Sequence, residues 1–173
     1  QIIPTRVSEV LKIINTHPNE GIVIFSCFIE CLSFLKIYLT DRKVFLFSSD
    51  LSIEKREEMI QEYISCEDLN PIFLTTYNMG SEGLNLQTKA NVVIKIDMYW
   101  NVGKEHQAES RVNRKGQTSD RVYIYSIHSN TSFEKTLIEL RESKESKKEN
   151  ILNKEEIKVR SSKFSVEKIL DIL

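Results

Sequence analysis

Two kinds of apolar pattern alternate along the chain. Apolar residues on every third or fourth position predict amphipathic helices. These cover 5–18 with Thr5 as its cap, 32–39, 52–64 with Ser52 as its cap and Ile53, Ile60 and Ile64 on one side, and a segment that starts at Ser132. Short apolar runs predict strands, and the run at 22–25 is too short and too rich in β-branched residues for a helix and is apolar on both faces, as in a strand covered on both sides. The predicted strands occupy 22–25, 44–47, 72–74, 91–96 and 121–127.

Strands and helices that alternate at intervals of roughly 20 to 30 residues are typical of βαβ units. The pattern therefore predicts an α/β fold, with a mostly parallel sheet and helices on both faces over residues 1–130 and a C-terminal helical extension over residues 131–173. Ligands of parallel sheets bind beyond the carboxyl ends of the strands. We therefore expect the functional loops to follow Phe25, Phe47, Leu74 and Ile96.

Composition narrows the class of protein. The 173 residues are 40% hydrophobic and 28% charged, which is typical of globular domains and excludes a chain that is disordered or fibrous over most of its length. The 24 basic and 25 acidic side chains give a formal net charge of -1. A uniformly basic protein is therefore excluded, and any nucleic-acid site must be a local patch.

The cysteines and the hydropathy bear on cell compartment and metal binding. Cys27, Cys31 and Cys66 lack the spacing of a disulfide framework, which indicates a reducing, intracellular setting. Cys27 and Cys31 would share one helical face, but no second pair of ligands follows, so we predict free thiols and no metal site. No apolar run reaches the roughly 18–20 residues of a membrane span. The chain begins at Gln1 without an initiator methionine, and we expect it to be a piece of a longer protein.

A glycine-containing segment at 77–86 follows the third predicted strand. Its main-chain N–H groups could bind a phosphate or a ribose, since glycine permits close approach. The spacing of Gly80 and Gly83 matches neither a P-loop nor a dinucleotide-binding fingerprint. Taken alone, the segment is explained more simply by a turn that caps a short helix.

A second segment, 107–117, carries two arginines three residues apart. If this segment is helical, Arg111 and Arg114 leave the same face, and Lys115 and Gly116 end the helix. Two converging guanidinium groups suit a polyphosphate, although a basic helix face in solvent is the simpler explanation of this segment alone. Between the two segments, Trp100 follows a predicted strand, at a place where a large aromatic side chain is functional about as often as it is core.

Together these segments resemble motifs V, Va and VI of the Swi/Snf-type ATPases, a branch of helicase superfamily two. The resemblance rests on the Gly-Leu-Asn-Leu loop at 83–86, a strand that ends in Asp97, the pair Trp100 and Asn101, and Gln107-Ala108 followed by Arg111, Arg114 and Gly116-Gln117. It extends over residues 5–140, and the segments 24–26 and 48–56 are similar to further motifs of the family.

The resemblance implies a RecA-like three-layer lobe, the second motor lobe of an ATP-hydrolysing translocase on double-stranded DNA. In that family ATP and Mg²⁺ bind between two such lobes, and the N-terminal lobe brings the phosphate-binding loop and the magnesium carboxylates, which this sequence lacks. The isolated lobe is therefore expected to be inactive. Its arginines should reach the ligand-binding edge of the sheet and stay clear of ion pairs inside the lobe.

Matching positions assign roles to individual residues. Arg111 and Arg114 would be the trans-lobe arginines at the γ-phosphate, and Gln107 would position the contact between the lobes. Gly80, Glu82, Gly83 and Asn85 would line the nucleotide side of motif V. The DNA backbone or groove would be contacted by Ser26, Thr76 and Trp100.

Several positions depart from the family pattern, and other interpretations stay open. Ser81 and Ser110 replace glycines, Val102 replaces a proline, and Tyr77 stands where a small hydroxyl residue is usual, but no substitution removes a charge. A lobe of another superfamily-two RNA or DNA helicase fits the same residues, as does a catalytically idle module that binds nucleic acid or protein. We expect the nucleus as the compartment in a eukaryote and otherwise the cytoplasm or a virion, with no membrane partner.

Overall fold

A computed structural model describes residues 3–68, 70–80, 83–129 and 131–152. The chain divides between His128 and Ser129 into two compact units. In chain order the elements are α1 (Thr5–Thr16), β1 (Ile22–Ser26), α2 (Ile29–Lys36), β2 (Val44–Phe47), α3 (Ile53–Ser65), β3 (Ile72–Thr76), α4 (Tyr77–Gly80), a 3-10 turn (Leu86–Thr88), β4 (Val92–Lys95), α5 (Val102–Glu109), β5 (Tyr123–Ser126) and α6 (Ser132–Leu152).

The first unit contains one five-stranded sheet in the order β2-β3-β1-β4-β5, and every pair of neighbouring strands is parallel. The prediction of a mostly parallel α/β sheet is therefore confirmed. β1 is the central strand, and its first residue, Ile22, lies beside Ile72 of β3 and Val92 of β4. All five residues of β1 are buried, which is why this strand reads as a continuous apolar run.

Side chains alternate between two differently packed faces of the sheet. The aliphatic face, with Ile22 and Ile24, packs against α1 and α2 through Val10 and Leu35. The aromatic face packs against α3, α4 and α5, and its members include Val23, Phe25, Phe73, Tyr63, Tyr77 and Ala108. The segments singled out for their chemistry come from the loops and helices of the aromatic face.

The helix N-termini show which of the predicted capping residues were correct. Ser52 caps α3, since its hydroxyl accepts a hydrogen bond from the Lys55 N–H at 3.3 Å, as predicted. Thr5 does not cap α1: it is the first helical residue, and Pro4 occupies the cap position without a side-chain bond. Ile53 does not join the buried side of α3, because it lies in the exposed first turn, whereas Tyr63 of the same helix is buried.

The second unit begins with a capped helix. The Thr131 hydroxyl accepts a hydrogen bond from the Glu134 N–H at 3.4 Å, and the Glu134 carboxylate accepts one from the Ser129 N–H, which together resemble a capping box. α6 continues from Ser132 through the charge-dense run. The apolar segment at 164–173 lies outside the described residues. No described helix is long and apolar enough to cross a bilayer.

Candidate functional site

Asp97 joins three loops at the carboxyl edge of the sheet. It follows β4, and one carboxylate oxygen accepts the hydroxyl of Ser26, the last residue of β1, at 2.5 Å, while the other accepts the N–H of the next residue, Cys27, at 2.7 Å. The main-chain carbonyl of Asp97 accepts the hydroxyl of Tyr77, just after β3, at 2.6 Å. Burial raises the pKa of the Tyr77 phenol, and Glu105 and Asp97 add to the shift. The phenol therefore stays protonated and donates.

This network corrects one of the predicted DNA contacts. Ser26 is 0% exposed, and its hydroxyl, besides donating to Asp97, accepts the Phe28 N–H at 3.1 Å. A hydroxyl that is buried and engaged in this way is not available to a DNA phosphate. Sequence similarity placed Ser26 at the correct edge of the sheet, but its side chain shapes the loop after β1.

The other two predicted DNA contacts lie at the same edge and are accessible. Trp100 is 58% exposed and packs obliquely on the ring of Tyr99, with 5.9 Å between ring centroids. Thr76 is half-buried at the end of β3, and its hydroxyl accepts the Met79 N–H at 3.5 Å. The carboxyl edge thus has an exposed indole and a partly exposed threonine.

A buried ion cluster holds α5 against β4. The Lys95 ammonium lies 2.6 Å from a Glu105 carboxylate oxygen and 2.5 Å from one of Glu109, and the three side chains are only 11%, 6% and 14% exposed. The second Glu105 oxygen accepts the Tyr99 N–H at 3.3 Å. Burial alone would lower the pKa of Lys95, but its hydrogen bonds to both glutamates outweigh burial and raise it. Lys95 therefore stays charged.

In the glycine segment, the two glycines matter for the path of the main chain and not for side-chain chemistry. Gly80 is buried, and a Cβ at this position would lie 2.4 Å from the Phe25 ring, so only glycine fits this approach. Gly83 is exposed with a φ of +68° and an open surrounding. Asn85 is also exposed. Glu82, the fourth residue predicted on the nucleotide side, lies outside the described residues.

The arginine segment differs from the predicted helix. α5 ends at Glu109, one residue after the buried Ala108. Successive turns follow, and the last is closed by the Gln117 N–H, which donates to the Arg114 carbonyl at 3.1 Å, with Gly116 at a φ of +97°. Arg111 and Arg114 therefore leave a turn, which we call the arginine turn (110–117). Gln107 lies exposed in the last turn of α5.

The arginine turn packs beside the glycine segment. The Arg111 carbonyl accepts the Gln87 N–H at 3.0 Å, and an Arg114 guanidinium nitrogen lies 3.4 Å from the Asn85 amide oxygen. Arg111 is half-buried and Arg114 is exposed. The structure thus brings motif VI residues into contact with motif V residues, and the Arg114 charge faces a neutral group there.

Arg111 and Arg114 do not lie at the edge of the sheet where the sequence predicts them. Gln87 belongs to the 3-10 turn that leads into β4, and the Gln117 side chain donates to the Ala90 carbonyl at 2.8 Å. Because α5 starts after the carboxyl end of β4 and runs back across the sheet, the arginine turn lies near the amino end of β4. The expectation that the arginines reach the carboxyl edge is therefore not met.

Metal ligands do not cluster in the described part of the chain, where no group of three or more His, Cys, Asp and Glu side chains could hold an ion. All three cysteines are free thiols. Burial raises the pKa of Cys27 and of Cys31, and the Asp97 carboxylate raises both further. These conditions disfavour the thiolates that a zinc site requires.

Sequence reasoning missed five residues that shape the site. Asp97 was noted only as the end of a strand, although it organises the carboxyl edge. Lys95 is a charge in an otherwise apolar run, and Glu105 and Glu109 are four residues apart, a spacing that could have identified their common partner. Lys104, half-buried in the first turn of α5, carried no signal in the sequence.

Known proteins support an assignment to a family. The helicase conserved C-terminal domain family matches residues 5–116. The putative helicase 172L of Invertebrate iridescent virus 6 is 34% identical over 165 residues, which is 91% of this chain and 27% of that protein. The DNA repair and recombination protein RAD54-like of Drosophila persimilis is 28% identical over 148 residues, which is 84% of this chain and 19% of that protein.

A solved structure supports the same assignment. The crystal structure of the C-terminal part of the Fun30 ATPase domain superposes with a TM-score of 0.71 at 27% identity, covering 81% of this chain and 48% of that chain. The chain thus spans only a part of the length of each of these relatives. The chain belongs to the helicase conserved C-terminal domain family, as a RecA-like C-terminal lobe of the Swi/Snf type.

Proposed function

We propose that this chain is the second motor lobe of a DNA-dependent ATPase that translocates on double-stranded DNA. In this proposal Arg111 and Arg114 act on ATP held by an N-terminal RecA-like lobe of the same protein, and the carboxyl edge grips the DNA backbone. The observation that carries the proposal is the packing of the arginine turn on the glycine segment, where Arg114 lies 3.4 Å from Asn85. Motif residues far apart in sequence form one surface there.

The charge of this surface suits the polyphosphate of ATP as substrate. Arg114 is exposed, and the Asn85 oxygen that it contacts is a neutral amide. The guanidinium charge is therefore not neutralised by this contact and remains available to the negative charge that spreads over the γ-phosphoryl oxygens during transfer. Gly80 and Gly83 shape the adjoining segment, and exposed Gln107 is placed to contact the other lobe.

The position of the arginine turn bears on where a partner lobe would dock in this proposal. A nucleotide at this sheet's own carboxyl edge would be out of reach, because the turn lies near the amino end of β4. The proposal therefore requires ATP and its Mg²⁺ to be held by the other lobe and brought to this side. The sequence contains no phosphate-binding loop, so we expect the isolated lobe to bind ATP feebly and to hydrolyse none.

The DNA-binding part of the proposal rests on the carboxyl edge. Trp100 and Thr76 are accessible there, whereas Ser26 is withdrawn from the set of contacts because it is buried. We expect contacts to the phosphate backbone with little reading of base sequence, and hence an affinity that falls steeply with salt. Weak binding that does not change with salt would contradict this part.

The ATPase role is tested by joining or mixing the chain with the lobe that carries the phosphate-binding loop. Arg111→Ala and Arg114→Ala should each lower DNA-stimulated ATP turnover by roughly 100-fold or more, the scale of a lost transition-state donor. Arg121→Ala, which removes another exposed arginine, is the matched control and should retain turnover. Undiminished rates in both motif variants would refute the assignment of the two arginines.

The same assay separates the remaining interpretations. Stimulation by duplex DNA above that by single strands or RNA identifies a translocase on double-stranded DNA. Stronger stimulation by RNA or by single strands would identify a helicase of another type. No turnover with any nucleic acid would identify an idle docking module.

A further inference from the structure

Besides the residues assigned above, one cation of α5 lies at the carboxyl edge. The Lys104 ammonium donates to the amide oxygen of Asn78 at 2.9 Å, and the Tyr99 hydroxyl donates to the same oxygen, also at 2.9 Å. Asn78 belongs to α4, directly after Thr76 and Tyr77, and Tyr99 precedes Trp100. Lys104 is therefore held against the segments that carry Trp100 and Thr76.

The acidic side chains of α5 and its lysine have different partners. Glu105 and Glu109 turn inward to Lys95, so neither carboxylate is committed to Lys104. In the described residues, the acceptor of the Lys104 ammonium is a neutral amide oxygen. The ammonium has three donor hydrogens, and one bond to Asn78 leaves it charged with capacity for an anion.

Helix stability does not explain a lysine at this position. Lys104 lies in the first turn of α5, where its N–H donates to the Asn101 side-chain oxygen at 3.3 Å. The helix dipole places positive charge at this end, so a cation there is unfavourable by a few tenths of a kcal/mol or more. An anion at this place would interact favourably with both the helix end and the ammonium.

We propose that Lys104 contacts a DNA backbone phosphate, in an orientation set by its hydrogen bond to Asn78. This inference rests on the proposed function, because it assigns a further contact to the DNA surface at the carboxyl edge. Trp100 and Thr76 are close in sequence to Tyr99 and Asn78, and the Tyr99 hydroxyl donates to the same Asn78 oxygen as Lys104 does. Lys104 thereby provides a localised positive charge in a chain whose formal net charge is -1.

Salt titration of duplex DNA binding by the chain tests the proposal. A phosphate contact contributes about 0.9 to the slope of log affinity against log salt. Lys104→Gln should lose that amount of slope and about eightfold in affinity at 0.1 M salt, whereas Lys104→Arg should keep both. Lys36→Gln removes an exposed charge at the end of α2, on the other face of the sheet, and should bind as the unaltered chain does.

A second variant tests the orienting role without removing the lysine. Asn78→Asp keeps the shape of the side chain but places a carboxylate against the ammonium, so the pair becomes neutral. It should weaken DNA binding and flatten the salt dependence as Lys104→Gln does. Urea unfolding of each variant, with an unchanged midpoint, shows that the lost affinity does not come from an unfolded lobe.

Each other outcome has a definite meaning. Normal affinity and slope in both Lys104→Gln and Asn78→Asp would overturn this inference and leave the DNA-binding proposal standing. Absence of salt-dependent DNA binding in the unaltered chain would overturn both. If Lys104→Gln weakened binding to polyglutamate more than binding to duplex DNA, the surface would be assigned to an acidic protein partner instead, and the inference would fail.

Discussion

Two polar regions of the first unit are built in opposite ways. The closed region comprises Asp97 with its partners and the Lys95 cluster, and its polar groups are buried and bonded to one another. The open region comprises the arginine turn and Asn85, where an exposed guanidinium makes a long 3.4 Å contact with a neutral oxygen. Both regions come from segments that resemble family motifs.

The difference separates what builds the lobe from what is left for a ligand. A buried polar group that finds its partners inside the protein cannot also serve an external phosphate, and losing one partner leaves the other desolvated and unpaired. An exposed group with a weak neutral contact can change partners at little cost. Substitutions in the closed region should therefore reduce stability, and substitutions in the open region should reduce function.

The largest effect is expected at the Lys95 cluster. Lys95→Met leaves Glu105 and Glu109 buried without their cation, and breaking a buried ion pair in this way costs roughly 3–5 kcal/mol. The free energy of unfolding from urea titration should fall by about that amount. The exposed Lys12, paired with Glu9, offers the control: Lys12→Met should change stability by less than about 1 kcal/mol.

A compensated variant sharpens this prediction. Lys95→Met combined with Glu105→Gln and Glu109→Gln removes the buried charges together, and should recover a large part of the lost stability because no uncompensated ion remains. If the triple variant were as unstable as Lys95→Met, the cause would be lost packing rather than unpaired charge. Electrostatic interactions would then contribute less to the stability of the closed region than its geometry indicates.

The strands were predictable because their signal is local, whereas the closed region was not. Strands such as β2 coincide with continuous apolar runs, and Ser52 caps α3 because capping involves only neighbouring residues. Asp97 and Ser26 are 71 residues apart in sequence, so their hydrogen bond depends on the order of strands in the sheet. No local pattern contains that order.

The arginine turn shows a different reason for error. Ala108 and Val112 are both buried and four residues apart, which continues the helical period beyond Glu109. This spacing is compatible with a helix through Arg114, but the main chain closes tighter turns there, including a bond from the Arg114 N–H to the Val112 carbonyl at 3.2 Å. Apolar spacing records which side chains are buried, and turns can produce the same spacing.

The two glycines of the glycine segment provide the second test of the comparison. Gly80→Ala inserts a methyl group against the Phe25 ring in the closed interior, and such overpacking costs roughly 1–3 kcal/mol. Gly83→Ala meets open space and should lose only the roughly 1–2 kcal/mol that a left-handed backbone costs another residue. Thermal unfolding of the two variants measures the difference, and equal losses would contradict the difference in packing around the two glycines.

Ser26→Ala comes next in size. It removes the hydroxyl that donates to Asp97 and accepts from Phe28, and should lower the free energy of unfolding by roughly 1–3 kcal/mol, because a buried group loses its partner. The affinity for duplex DNA should stay unchanged at every salt concentration. A reduced affinity with normal stability would restore Ser26 to the DNA contacts and place it in the open region.

The smallest effect on stability is expected in the open region, at Arg114. Arg114→Gln removes the charge, while the glutamine amide can still reach toward Asn85. Because the replaced contact is exposed and long, the free energy of unfolding should change by less than about 0.5 kcal/mol. In the two-lobe protein the same change should lower ATP turnover roughly 100-fold. Normal turnover with a marked loss of stability would place Arg114 in the closed region, because its charge would then serve the lobe and not a nucleotide.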